Sequence, residues 1–135
     1  MTLQSALLAS LEAFAEITSD PTNLIYDKLF AARPEFKELF IMDIDGGVRG
    51  STLQSCFDCI LYYAEGHPDR TRLELEAAQL SHDGYGVEPE EIGLMFELIH
   101  EICRETLRVT WSEEMTASWA AFLEHVAECI PQPTT

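Results

Sequence analysis

The sequence predicts an all-α protein, and three observations carry that expectation. Apolar residues recur at the three-and-four spacing of amphipathic helices through most of the 135 residues. Proline, glycine and acidic residues punctuate these runs where helices would start and stop. No stretch offers a credible strand pair, and no internal repeat or low-complexity segment interrupts the pattern.

Taken in order, Leu3, Leu7, Leu8, Leu11, Phe14, Ala15 and Ile17 follow the helical period, and Asp20-Pro21 closes it with a cap and a proline. A second helix is expected from about Pro21, carrying Leu24, Ile25, Tyr26, Lys28, Leu29 and Phe30 until Arg33-Pro34 breaks it. Pro34 to Phe40 reads as a short helical turn. Met42 to Gly50 is rich in glycine and acid and resembles a calcium loop only superficially, because no glutamate occupies the twelfth position; it is expected to be a connector. From Ser51 the period returns through Leu53, Cys56, Phe57, Ile60, Leu61 and Ala64 and stops at Gly66-His67-Pro68. Arg70 to Ser81 is expected to turn Leu73, Ala77, Ala78 and Leu80 inward. Pro89 to Val109 is a long helix with Ile92, Met95, Phe96, Ile99, Cys103 and Leu107 on one stripe. The last helix opens at Ser112 and carries Trp119, Phe122, Leu123, Val126 and Ile130, leaving residues 131–135 as a frayed tail.

A chain of this length with 47% apolar residues fits one domain, residues 1–135, with enough apolar side chains for a core. Its 24 acids against 8 bases give a net charge of -16, which disfavours nucleic acid and anionic membranes as partners because both are polyanions. No run is long and apolar enough to span a bilayer, and the first residues lack the basic flank of an export signal, so a cytoplasmic location is expected. The four cysteines then read as thiols. Cys56 and Cys59 form a C-x-x-C inside a helix with no second pair, so buried packing is the better account than a zinc site or a disulfide.

The stretch from Gln79 to Glu91 ends one helix, presents His82 at the stop, and starts another. Gly84 and Gly86 supply the permissive backbone of the exit, Pro89 suits a first helical turn, and two acids follow it. Taken alone, His82 is best explained as a cation at a helix end. A ligand role needs more: haem iron takes one strong axial donor, and an imidazole serves when its other ring nitrogen is held, for which the Ala78 carbonyl and the Ser81 hydroxyl are in sequence reach.

More is present. Tyr26-Asp27-Lys28-Leu29-Phe30, the run from Arg33-Pro34 to Phe40, and His82-Asp83-Gly84-Tyr85-Gly86-Val87-Glu88-Pro89-Glu90 resemble the corresponding segments of bacterial single-domain haemoglobins and of the globin domain of flavohaemoglobins. The similarity covers nearly the whole chain in order, with a small insertion after Phe40. It implies a globin-like fold of six to seven helices around a pocket for haem b (iron protoporphyrin IX). It makes His82 the proximal iron ligand, Phe40 the ring against the porphyrin, and Tyr26 the distal hydroxyl that donates to the bound gas. Thr52 falls at the second distal position, where relatives commonly have glutamine; the insertion leaves Gln54 and Leu53 as alternatives. Cys56 would lie one turn later over the haem face. Matched positions and helical phase nominate Val87, Ile92, Met95, Phe96 and Phe122 as the remaining wall, although these would be core residues in any helical bundle. His67, His100 and His125 are expected to be structural or solvated.

The expected function is therefore reversible binding of a diatomic gas (O2, NO or CO) for transport or sensing. Nitric oxide dioxygenase or peroxidase-like chemistry is an alternative, but Ile92 stands where flavohaemoglobins have a tyrosine that polarises the proximal histidine. The 135 residues leave no room for a flavin or nicotinamide domain beside the globin-like one, so such an enzyme is expected to need a separate reductase as partner. A haem-free globin-like interaction module is a third possibility, which would leave His82 without a purpose.

Overall fold

The computed structural model describes residues 3–18, 20–35, 37, 47–82 and 89–129, with backbone alone at 3, 47–52, 77–82 and 89–92. Among the described residues there are six α-helices and no strand: α1 (Leu3–Ile17), α2 (Thr22–Ala32), α3 (Gly47–Ala64), α4 (Pro68–His82), α5 (Pro89–Leu107) and α6 (Glu113–Cys129), with a 310 turn at Arg108–Thr110.

In α1, Ala6, Leu7, Ser10, Leu11 and Phe14 are buried, one stripe at the helical period. Ala15 and Ile17, expected on that stripe, are exposed because they fall outside its arc. The Asp20 carboxylate accepts from the Thr22 amide at 3.1 Å and the Thr22 hydroxyl at 2.7 Å, so the start of α2 is held from just outside the helix. These hydrogen bonds, that of the Thr22 hydroxyl first, keep the Asp20 carboxyl below its ordinary pKa. Ile25, Tyr26 and Leu29 face inward from α2. The helix stops at Arg33, whose φ of -136° and ψ of 78° lie outside the helical region that a following proline disfavours.

The connector expected up to Gly50 is shorter than the composition suggests. Helix α3 begins at Gly47, so Gly47 to Gly50 are helical. Glycine costs a helix about 1 kcal/mol per position, a penalty that packing elsewhere on a long helix overrides. At the other end of α3, Gly66 has φ +88°, and a Cβ built there would meet nothing within 4 Å. The left-handed backbone, not crowding, is what calls for glycine at this corner. Pro68 then opens α4, with Asp69 in the first turn where the helix dipole favours an anion.

Helix α4 rests on α3 through Thr71 and Leu75, both buried, and the Thr71 hydroxyl donates to the Cys59 carbonyl at 2.8 Å. Leu73, expected inward, is 65% exposed. A helix with few apolar residues has no clear inward face in its own sequence, and the buried threonine is satisfied by a carbonyl of its neighbour. The side chains of Ala77, Ala78 and Leu80 lie outside the described residues, as do residues 83–88.

Helix α5 ends at Leu107, two residues short of expectation, and its chain turns out through Arg108, at φ 44°. Met95, Phe96, Ile99, Cys103 and Leu107 are buried as expected, but so are Leu98 and Ile102. The wider face follows from neighbours on several sides, since α5 packs against α1, α2 and α6. Lys28 ties α2 to this helix, its ammonium donating to Glu105 at 3.1 Å with Glu101 at 3.4 Å. Helix α6 is capped by Ser112, whose hydroxyl accepts from the Met115 amide at 3.1 Å, and Glu113 and Glu114 occupy the first turn.

The helices close on a shared core: α1 packs on α3, α5 and α6, α2 on α3 and α5, and α4 on α3 and α6. The Trp119 indole, fully buried, donates to the Ser10 hydroxyl at 2.9 Å, and Ser10 donates to the Leu7 carbonyl at 2.7 Å. Both buried polar groups at the α1–α6 contact are thereby satisfied. No helix among the described residues is long and apolar enough to cross a membrane.

Candidate functional site

Apart from Gln54, the expected site residues whose side chains the structure describes lie in the shared core, on α2, α3, α5 and α6. Tyr26 is 1% exposed, and its ring lies 5.8 Å from that of Phe30. It shares the core with Leu53 and Cys56 of α3, Met95 and Phe96 of α5, and Phe122 of α6. Phe122 is the hub of the aromatic cluster. Its ring meets Phe96 at 5.5 Å, Tyr63 at 5.4 Å and Trp119 at 5.9 Å, all edge-on, the arrangement the ring quadrupole favours.

On α3 the three distal alternatives separate. Leu53 is buried, whereas Gln54 is exposed and its amide donates to Asp58 at 3.0 Å in the next turn. Gln54 therefore does not line the interior. Successive helical residues point about 100° apart, so Leu53 and Cys56, three apart, share the inward face and Gln54 is carried off it. Thr52 lies on α3 with its side chain outside the described residues, and the same holds for Ile92 on α5. His82 is the last residue of α4; its imidazole is outside the described residues, and so are Phe40, Val87 and the 131–135 tail.

The four cysteines are buried and free. Burial pushes the Cys56 thiol far up, with Cys59 adding to the effect, and burial pushes Cys59 and Cys103 up to about 12. At neutral pH these are protonated, weakly polar packing groups rather than nucleophiles. Cys129 is raised too, chiefly by burial, although its sulfur lies 3.6 Å from His125 Nε2. The His125 Nε2–H donates to the Pro68 carbonyl at 3.1 Å, and its ring leans on Tyr63 at 5.2 Å. This histidine joins α6 to the start of α4. His67 is exposed in the α3–α4 corner.

His100 is the residue whose surroundings sequence reasoning underestimated. Its ring stands 5.3 Å from Trp119 and 5.7 Å from Trp111. Burial, then the charge of Arg104, holds it below the ordinary imidazole pKa. No local pattern links positions 100, 111 and 119, which meet only because α5 folds back onto α6. Leu98 and Ile102 were legible, being an apolar pair four apart beside the expected stripe.

Among the described residues no group of three His, Cys, Asp or Glu side chains could hold a metal ion. Haem makes a different demand, because the porphyrin supplies four ligands to its iron and asks the protein for one axial donor and an apolar slot. The described interior is built of aromatic and aliphatic side chains with the buried cysteines among them. Comparison with known protein families, with curated proteins and with solved structures finds no match to this chain.

Proposed function

We propose that the chain is a globin-like haem protein that binds a diatomic gas reversibly, with His82 as proximal ligand and Tyr26 as the distal donor. The observation that carries this reading is the burial of Tyr26, 1% exposed, among Leu53, Cys56, Met95, Phe96 and Phe122. The interior around this phenol holds aliphatic, aromatic and protonated thiol side chains. Such a lining excludes water, and a hydrogen bond made there at low dielectric is strong. When bound, haem b would supply an iron that His82 would hold and that binds a diatomic gas reversibly.

Each residue then has a defined part. His82, at the end of α4, would hold the iron through its imidazole, and the Tyr26 hydroxyl would donate a hydrogen bond to the gas. Leu53 and Cys56 would line the distal side, where a thiol donates only weakly, and Thr52 is the second distal donor. Phe96 and Phe122 pack the wall beneath.

The test is a titration of the purified protein with haemin followed by absorption. A saturable Soret band is expected, lost in His82→Ala with far-UV circular dichroism kept. A band that never forms, or one unaffected by His82→Ala, overturns the reading. Tyr26→Phe should release the gas roughly fivefold faster, the loss of one buried hydrogen bond worth about 1 kcal/mol, by stopped-flow or flash photolysis.

A further inference from the structure

Three donor atoms meet where α6 lies against the start of α4. His125 and Cys129 are four apart on α6, so their side chains stand one above the other on the same face. The Cys129 sulfur lies 3.6 Å from His125 Nε2, and the carbonyl of Pro68, the first residue of α4, lies 3.1 Å from the same nitrogen. The single Nε2–H is engaged with the carbonyl while the sulfur stands beside it. Each donor is fixed from behind. The His125 ring rests 5.2 Å from that of Tyr63 on α3, and the Thr71 hydroxyl, one turn into α4, holds this end of the helix to the Cys59 carbonyl at 2.8 Å. Cys129 is buried and His125 half-buried, so the way in from solvent lies on the histidine side.

A thiolate and an imidazole select a borderline-soft ion such as zinc over magnesium or calcium, which take oxygen. A zinc ion about 2.3 Å from the sulfur and about 2.05 Å from the nitrogen would subtend their 3.6 Å separation at about 112°, close to the tetrahedral angle. With its oxygen about 2.1 Å from the ion, the carbonyl would stand at about 97° to the nitrogen, and a parting of about 0.3 Å brings that to the tetrahedral value. No third His, Cys, Asp or Glu side chain among the described residues completes the set. The third donor is therefore main-chain, and the fourth position is left to water, as in zinc sites that keep one position open. The charged side chains that bear on Cys129 are Arg72 and Glu76 of α4 and Glu128 of α6, two acids against one base, a balance that favours a cation.

We propose that Cys129, His125 and the Pro68 carbonyl form a zinc site that joins α6 to α4. Binding forms a zinc–sulfur bond as the S–H bond breaks and its proton leaves to solvent. The ion takes the place of the Nε2 proton, which moves to Nδ1 of the same ring, and nothing is oxidised or reduced. The site uses none of the residues assigned to haem, and neither reading depends on the other.

Cobalt(II), which accepts the same geometry as zinc and is coloured, is the probe. Titrating the purified protein with cobalt chloride should give one bound ion per chain and a thiolate-to-cobalt charge-transfer band, bleached by zinc. Cys129→Ser should abolish the band. His125→Gln should weaken binding about a hundredfold or more, because even the outer partners of a metal site are worth about ten- to a hundredfold. Far-UV circular dichroism should be unchanged in both. Cys103→Ser and His67→Gln, a buried thiol and an exposed imidazole outside the set, should bind as the wild type does. Absence of the band in the wild type, its survival in Cys129→Ser, or a loss in His67→Gln equal to that in His125→Gln overturns the proposal. X-ray absorption at the zinc edge of the wild-type protein needs no variant. One sulfur at about 2.3 Å with nitrogen and oxygen neighbours is expected, and a shell without sulfur overturns the site.

Discussion

His100 shows how much a single side chain can report. Its ring stands beside two indoles, and burial with the Arg104 charge keeps it from protonating at the ordinary imidazole value of 6.5, against a smaller opposing effect of Glu101. Because its folded pKa is depressed, the unfolded chain takes up the proton first as pH falls. Its contribution to stability is complete above pH 6.5 and is lost as pH falls through the lower folded value. His100→Gln should therefore flatten the decline of urea-unfolding stability between about pH 7.5 and about 5.5 relative to the wild type. Identical slopes would mean that the imidazole titrates as if solvated. Tyr26 is the complementary case, a buried phenol whose worth is read from gas release rather than from stability.

At the scale of the element, the helix ends are set by short-range chemistry. Ser112 caps α6 with a hydroxyl that accepts the Met115 amide, and Glu113 and Glu114 add favourable charge beside it. Ser112→Ala should cost about 1 kcal/mol by thermal or chemical unfolding. A loss below a few tenths would show that water satisfies the amide as well as the hydroxyl does. These ends were legible in advance: Asp20-Pro21, Arg33-Pro34, Gly66-His67-Pro68, Pro89 and Ser112 all punctuate the chain where the structure does. Inward faces were legible only where apolar residues are dense. Helix α5 announces its stripe, whereas α4 carries few large apolar side chains, and its buried Thr71 and exposed Leu73 reverse what hydropathy suggests.

At the scale of the molecule, the net charge of -16 sets acids against one another across the whole surface. Few cations are available to offset them, and Lys28 engages two glutamates at once. Screening should stabilise such a chain. Raising salt from about 0.01 M to about 0.1 M shortens the Debye length from about 30 Å to about 10 Å, so the melting temperature is expected to rise across that range. A flat or falling melting temperature would indicate that the carboxylates are spaced too widely to repel and that ion pairs such as Lys28–Glu105 outweigh them.

The sequence by itself determined that the chain is helical, where most helices begin and end, and part of the core: Leu7, Leu11 and Phe14 of α1, Met95, Phe96, Ile99, Cys103 and Leu107 of α5, and Trp119, Phe122 and Val126 of α6. Helical period, caps and breakers act within a few residues and need no knowledge of the rest of the chain. Only the tertiary structure decided that Leu53 rather than Gln54 faces inward and that α3 reaches back to Gly47. It alone set His100 beside Trp111 and Trp119, and packed α1 against α6. Those outcomes depend on which helices become neighbours, and two residues a hundred positions apart, such as Ser10 and Trp119, carry no local mark of the hydrogen bond that joins them.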